Sequence, residues 1–194
     1  MKICVFGAAS AHIDEIYIKK VEQLGELLAK RGHSLVFGAG ATGLMGAAAR
    51  GFKAGGGYIH GVIPHFFREE GVEQIYGECD KITYTDTMSE RKAIMEDDCD
   101  AFIITPGGIG TFEEFFEVLT LKQLGRHKKA IVIYNIDNYY DELEDFMRVA
   151  YERKFINFKC YEMYSYVNSA EEIADYLESY KPDDTPWQKL KIGD

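Results

Sequence analysis

The residues of this chain best suited to chemistry lie in the segment Pro106-Gly107-Gly108-Ile109-Gly110-Thr111, directly after an apolar run that ends at Thr105. Three glycines in four positions keep side chains away from a turn that opens a helix. Several backbone N–H groups can therefore converge on one anion, and the helix dipole favours negative charge at the same place. The pattern predicts a phosphate-binding turn, although it contains no P-loop lysine.

Glu114 stands one helical turn beyond this glycine turn. A carboxylate so close to a bound phosphate would repel it, so its presence needs an explanation. One interpretation is a capping box, since Thr111 and Glu114 have the spacing in which a glutamate reaches back to a backbone N–H. The same spacing recurs at Thr87–Glu90 and at Ser169–Glu172, where no glycine turn accompanies it. The other interpretation is a carboxylate that acts on a bound sugar phosphate, and the glycine turn favours it because a cap does not need one.

Arg91 and Lys92 are basic residues at positions that are electrostatically unfavourable for a positive charge. They fall in the first turn or so of a predicted helix, where the dipole disfavours cations. Surface ion pairs would explain them, and the acidic residues available are Asp86, Glu90, Glu96 and Asp98. Alternatively, they face the same crevice as the glycine turn, where an arginine could orient a phosphorylated substrate or stabilise its leaving group.

The segment 38–43 matches the G-x-G-x-x-G pattern of dinucleotide-binding proteins. That pattern normally follows the first strand and is answered about 20 residues later by an acid that binds the ribose. The chain has no Asp or Glu between Glu26 and Glu69, so this acid is missing. We therefore expect the glycines to allow the close approach of another group to the backbone rather than to bind NAD.

The four cysteines and five histidines show no spacing typical of metal ligands or of a redox pair. We expect buried free thiols and no metal site. The cysteines are Cys4, Cys79, Cys99 and Cys160.

Short apolar runs alternate with segments of helical period, which is typical of βα units around a parallel sheet. The predicted strands are 3–6, 35–37, 58–63, 81–84, 101–105, 130–134 and 163–167. The predicted helices are 13–31, 44–53, 87–98, 111–124, 138–153 and 169–180. Because several strands are apolar throughout, helices should cover both faces, giving an α/β three-layer sandwich with about seven parallel strands. Ligands of such sheets bind at the carboxyl ends of the strands. We expect one domain over residues 1–181 and a C-terminal tail over 182–194.

The net charge limits the partners of this 194-residue chain. It is −10, from 22 basic and 32 acidic residues, and residues 93–194 carry 21 acids against 11 bases. Acidic runs on predicted helices, such as 141–145 and 171–178, are expected to be solvated surface. Such a chain should bind neither nucleic acid nor anionic membranes. No apolar run approaches the roughly 18 to 20 residues of a membrane helix, and no signal-peptide pattern opens the sequence, so we expect a cytoplasmic protein.

Two motifs together carry a resemblance to a known family. Met88-x-x-Arg91-Lys92, followed by Pro106-Gly107-Gly108-x-Gly110-Thr111-x-x-Glu114, resembles the motif pair of the LOG family. These proteins are cytokinin riboside 5′-monophosphate phosphoribohydrolases, often mislabelled lysine decarboxylases. The likeness extends to segments 6–10, 43–46 and 119–129. It implies a Rossmann-like fold, a homodimer, no cofactor, and hydrolysis of an (N6-substituted) adenosine 5′-monophosphate to free base and ribose 5-phosphate.

The resemblance also implies roles for individual residues. Arg91 and Glu114 would be catalytic. The backbone amides of Gly107, Gly108, Gly110 and Thr111 would bind the phosphate of the nucleoside 5′-monophosphate. Lys92, Met88 and Ser10 would contact the nucleotide. The chain departs from the family at Ala8-Ala9-Ser10, Ala39 and Ser89, which bear on substrate preference more than on the type of reaction.

Two other functions stay open at this stage. A nucleotide-binding or cofactor-carrier protein of the same fold would use the glycine turn without hydrolysis. A pyridoxal-phosphate decarboxylase would need a Schiff-base lysine, for which Lys92 is the candidate.

Overall fold

A computed structural model describes residues 1–71 and 73–182 of the chain. The strands are β1 Lys2–Phe6, β2 Ser34–Phe37, β3 Ile59–Pro64, β4 Lys81–Thr85, β5 Ala101–Ile104, β6 Ala130–Tyr134 and β7 Ser165–Val167. The helices are α1 Glu15–Lys30, α2 Gly43–Ala54, α3 His65–Glu69, α4 Met88–Asp97, α5 Ile109–Gln123, α6 Asp141–Glu152, α7 Phe158–Tyr161 and α8 Ala170–Ser179. A short 3-10 helix spans Ile136–Asn138.

The seven strands form one parallel sheet in the order β4-β3-β2-β1-β5-β6-β7. The chain moves outward from β1 to β4 and then returns to place β5 on the other side of β1. The loops after β1 and β5 therefore leave the sheet in opposite directions and open a crevice between them, where ligands of open parallel sheets bind.

Two apolar layers cover the sheet, as the strand pattern predicts. On one face, side chains of β1, β2, β5 and β6 pack with α1, α2 and α8. On the other face, alternate side chains of the same strands pack with α4, α5 and α6. Successive strand residues point to opposite faces, so a strand between two helical layers must be apolar throughout. The predicted α/β three-layer sandwich is confirmed.

The structure departs from the sequence prediction mainly in short elements. All seven predicted strands are present, whereas α3, α7 and the 3-10 helix were not predicted because segments of three to five residues show no helical period. Helix α5 begins at Ile109, earlier than the predicted 111. The predicted tail lies outside the described residues, except for Pro182. All four cysteines are free thiols, and Cys4, Cys99 and Cys160 are buried. None of the helices in the described part of the chain has the length and apolar character to cross a membrane.

Candidate active site

The predicted phosphate-binding turn forms the start of α5. Gly108 is the N-cap residue and has no side chain that could accept hydrogen bonds from the first N–H groups of the helix. These groups have no acceptor within the helix either, so they are available to an anion. Thr111 lies inside the helix, is 4% exposed and packs against Gly107. Gly107, Gly108, Gly110 and Thr111 are thus brought together where the sequence predicts.

The capping interpretation of Glu114 is wrong. Because α5 begins at Ile109, Thr111 is not its N-cap residue, and the Thr-x-x-Glu spacing falls within the helix. The other two occurrences of the spacing are real caps. The hydroxyl of Thr87 accepts from the N–H of Glu90 at 3.1 Å, and the hydroxyl of Ser169 accepts from the N–H of Glu172 at 3.2 Å.

Arg91 is buried beside β3, with 5% of its surface exposed. Its Nε donates to the carbonyl of Val62 at 3.2 Å, and its Nη1 lies 4.0 Å from the sulfur of Met88. The guanidinium also lies 5.8 Å from the centre of the Phe67 ring. A Cβ atom at Gly38 would overlap the guanidinium of Arg91, so only glycine at this position lets the arginine side chain approach so closely. The prediction that the glycines of segment 38–43 allow another group to approach the backbone closely is confirmed at Gly38.

Glu114 lies opposite Arg91. Its Oε1 lies 4.0 Å from Nη1 of Arg91, at the outer limit of an ion pair, and its side chain is only 13% exposed. Burial raises the pKa of Glu114 to about 7; the positive charge of Arg91 opposes this shift, and the neighbouring Glu113 adds to it. The carboxyl group is therefore poised to exchange a proton near neutral pH.

Glu73 is a third charged residue at this site, and sequence reasoning missed it. Backbone bonds from Ala41 to Gln74 (2.7 Å) and from Tyr76 to Ala39 (2.8 Å) bring its loop against the glycine segment. The carboxylate rests on Gly40, and its Oε1 is buried with no hydrogen-bond partner among the described residues. Burial raises the pKa of Glu73, although the charge of Arg91 acts against it. No spacing in the sequence indicated Glu73, because only the folded loop places it there.

Lys92 lies beside this cluster and turns toward α5. Its Nζ is 2.5 Å from Glu113 and 2.7 Å from Glu117, so its ion pairs join α4 to α5. The acidic partners expected from the sequence, which lie in or next to α4, are not the ones it uses. Burial lowers the pKa of Lys92, but the two carboxylates outweigh burial and leave this pKa above its ordinary value.

Ser10 lines a cavity of about 220 Å³ on the other side of the glycine turn. The cavity is almost entirely apolar, and its walls include Tyr17, Leu44, Gly107 and Tyr139. The hydroxyl of Ser10 accepts a hydrogen bond from the N–H of His12 at 3.2 Å. The structure therefore separates the predicted nucleotide contacts: Met88 lies with Arg91, whereas Ser10 lies beside Gly107 and Gly108.

Over residues 1–71 and 73–182, no three His, Cys, Asp or Glu side chains form a group that could hold a metal ion.

Comparison with known sequences identifies relatives over most of the chain. The family model described as "Possible lysine decarboxylase" matches residues 45–177. "Probable cytokinin riboside 5′-monophosphate phosphoribohydrolase LOGL5" of Oryza sativa subsp. japonica is 35% identical over 192 residues, covering 98% of this chain and 77% of the relative. "Cytokinin riboside 5′-monophosphate phosphoribohydrolase LOG7" of Arabidopsis thaliana is 37% identical over 183 residues, covering 94% and 83%.

Solved structures share the fold at lower sequence identity. The molybdenum cofactor carrier protein of Chlamydomonas reinhardtii has a TM-score of 0.70 at 21% identity, covering 91% of this chain and 95% of that one. The molybdenum cofactor binding protein of Rippkaea orientalis has a TM-score of 0.68 at 19% identity, covering 92% and 94%. Identities this low support a common fold alone. Since the family model spans more than half of the chain and the plant relatives match nearly all of it, this protein belongs to the LOG family.

Proposed function

We propose that this protein hydrolyses the N-glycosidic bond of a nucleoside 5′-monophosphate, releasing the free base and ribose 5-phosphate. The names of the plant relatives support this class of reaction. The substrate would be an adenosine 5′-monophosphate, with or without a substituent on N6. The homodimer and the cytoplasmic location stay predictions.

The observation that carries the proposal is the state of Glu114. Its side chain is 13% exposed, takes no part in capping α5, and has its carboxylate 4.0 Å from the guanidinium of Arg91. Burying a carboxylate without close partners destabilises the folded protein, so a site that only binds phosphate would gain nothing from it. A carboxylate beside a phosphate-binding turn is instead what glycosidic hydrolysis requires.

The geometry of α5 links the two parts of the site. Glu114 follows Thr111 by three residues, which is about one helical turn, and helical side chains lean toward the N-terminus. A 5′-phosphate held by the amides of Gly107 to Thr111 would therefore bring its ribose toward the carboxylate. Binding energy from the phosphate would then fix the reacting bond, although the phosphate itself does not react.

The chemistry follows from the charges. As the bond from the anomeric carbon to the base breaks, the sugar gains positive charge, which the Glu114 carboxylate would stabilise. Glu114 would also accept a proton from the attacking water, whose oxygen bonds to the anomeric carbon. The base leaves with the bonding electron pair and takes up a proton from the solvent, to which Glu114 then releases the proton that it accepted. Arg91 would orient the nucleotide and stabilise the negative charge that develops on the departing base.

The alternative functions fit the site less well. A cofactor carrier shares this fold, but carriage alone gives no reason to bury Glu114. A pyridoxal-phosphate decarboxylase needs a neutral amine to form its Schiff base. Lys92 is instead held between Glu113 and Glu117, which raise its pKa.

The test is to incubate the protein with AMP and with an N6-alkylated AMP and to separate the products by chromatography. We expect base and ribose 5-phosphate in equal amounts, and their release should be lost in both Arg91→Ala and Glu114→Ala. Binding of AMP without any base release by the wild type would favour the carrier alternative. Undiminished release in both variants would refute the site assignment.

A further inference from the structure

We infer that Tyr139 is a positioning residue that orients the phosphate-binding amide of Gly108. The inference rests on the phosphate site of the proposed function. Tyr139 follows the 3-10 helix after β6, and its hydroxyl donates to the carbonyl of Gly107 at 2.6 Å. Because the bond is made to the backbone of the glycine turn, it acts on the groups that would hold the phosphate rather than on the phosphate itself.

Three consecutive carbonyl groups of the turn are fixed in this way. The hydroxyl of Tyr140 donates to the carbonyl of Thr105 at 2.8 Å. The N–H of Ala8 donates to the carbonyl of Pro106 at 3.0 Å. Tyr139 supplies the third bond, to Gly107. The turn is therefore held from the loop after β1 and from the segment after β6.

Each of these bonds also sets the direction of an amide. A trans peptide group is planar, so its C=O and the N–H that follows point in opposite directions. The described peptide bonds are all trans. Fixing the carbonyl of Pro106 toward Ala8 directs the N–H of Gly107 away from Ala8. Fixing the carbonyl of Gly107 toward Tyr139 directs the N–H of Gly108 away from Tyr139.

The bond from Tyr139 matters because this peptide group joins two glycines. Without Cβ atoms, Gly107 and Gly108 allow the peptide plane between them to rotate over a wide range. A rotated amide would have to be reordered when phosphate binds, and this ordering lowers affinity. Tyr139 is thus expected to increase phosphate affinity by ordering the turn in advance.

The surroundings of Tyr139 hold its ring in place although 40% of the residue is exposed. The preceding residues Asp137 and Asn138 have φ angles of 52° and 60°, in the left-handed region that is unfavourable for most side chains. Tyr17 packs edge-on against the Tyr139 ring with centroids 6.1 Å apart. Tyr140, by contrast, is 1% exposed, so its removal would disturb the core as well as the turn.

The test is the variant Tyr139→Phe, which removes the hydroxyl and keeps the ring. Binding of ribose 5-phosphate is measured by calorimetry, and AMP hydrolysis is measured as KM and kcat. We expect the Kd for ribose 5-phosphate and the KM for AMP to rise about three- to tenfold, with kcat changed less than about twofold. Tyr151→Phe is the matched control, since Tyr151 is also 40% exposed and lies on α6.

Two results would overturn the inference: unchanged binding of ribose 5-phosphate, or a fall in kcat and thermal stability without weaker phosphate binding. If the wild type binds ribose 5-phosphate but releases no base from AMP, the proposed hydrolysis fails, and Tyr139 is still judged by the binding data. If the wild type binds no ribose 5-phosphate, the phosphate site and this inference fail together.

Discussion

The two ends of the sheet's strands differ in how closely their acidic side chains are paired. At the amino ends of the strands, the ring of His60 lies 2.8 Å from both Asp98 and the hydroxyl of Thr83. Asp98 also accepts from Lys2 at 2.5 Å. At the carboxyl ends, Arg91 and Glu114 are 4.0 Å apart, and an oxygen of Glu73 has no partner among the described residues.

The difference appears in the protonation of the acids. Burial raises the pKa of Asp98, but hydrogen bonds from Lys2 and His60 outweigh burial and leave this pKa below its ordinary value. Burial raises the pKa of Glu114 to about 7, and Arg91 is too distant to cancel the effect. A satisfied cluster stabilises the fold, whereas an unsatisfied one is expected where a ligand supplies the missing partners.

Substitution of the side chain that faces the acid at each end, Arg91 for Glu114 and His60 for Asp98, tests this contrast by activity. Arg91→Ala should lower kcat/KM for base release by about 10²- to 10³-fold, because a group that stabilises charge in the transition state is lost. His60→Gln should leave kcat/KM within about twofold of the wild type. Both variants are assayed with AMP after their folding is checked by circular dichroism. Equal losses in the two variants would remove the functional distinction between the two ends.

The pH dependence of kcat/KM tests the pKa of Glu114. As Glu114 must be ionised to stabilise the sugar cation, kcat/KM, which reports the pKa values of the free enzyme, should fall about tenfold per pH unit below pH 7 and be about 100-fold lower at pH 5. The measurement is kcat/KM for AMP between pH 5 and pH 9. A kcat/KM that stays flat from pH 5 to 7, or that declines as the pH rises through 7, would contradict a role for the carboxylate.

Replacing the acid by its amide should change the free energy of unfolding in opposite directions at the two ends of the strands. The folded-state pKa of Glu114 lies above its ordinary value of 4.5, so the unfolded state loses the proton first and rising pH between about 4.5 and 7 favours unfolding. Glu114→Gln should therefore raise the free energy of unfolding at pH 8 by about 1 to 3 kcal/mol. Asp98→Asn should lower it by about 1 kcal/mol, because the folded-state pKa of Asp98 is depressed. Urea unfolding at pH 8 measures both, and destabilisation by Glu114→Gln would contradict the account.

The sheet could be predicted from sequence because its strands carry the information locally. Runs such as Ala101–Ile104 and Ala130–Tyr134 are apolar at every position, and only a strand covered on both faces needs this pattern. The glycine turn was equally local, since Gly107, Gly108 and Gly110 follow one another at the end of β5. Its partners Tyr139 and Glu73 come from distant segments, and only the folded chain places them there.

Helix ends and surface charges show where sequence patterns fall short. The same Thr-x-x-Glu spacing caps α4 but lies inside α5, because a glycine, Gly108, serves as N-cap three residues before the expected start at 111. The acids of α6 were expected to be solvated, yet Glu144 accepts hydrogen bonds from Tyr161 and Tyr164. These tyrosines follow α6 in the chain, and no periodicity within the helix reveals them.

Base release from AMP by Glu114→Gln, compared with Glu113→Gln, tests the central claim most directly. Glu113 is the neighbouring acid on the same helix; it is 53% exposed and pairs with Lys92 at 2.5 Å. We expect Glu114→Gln to lower kcat at pH 8 by about 10²- to 10³-fold, while Glu113→Gln changes it less than about threefold. Equal and near-wild-type rates in both variants would show that the buried carboxylate does not take part in the reaction.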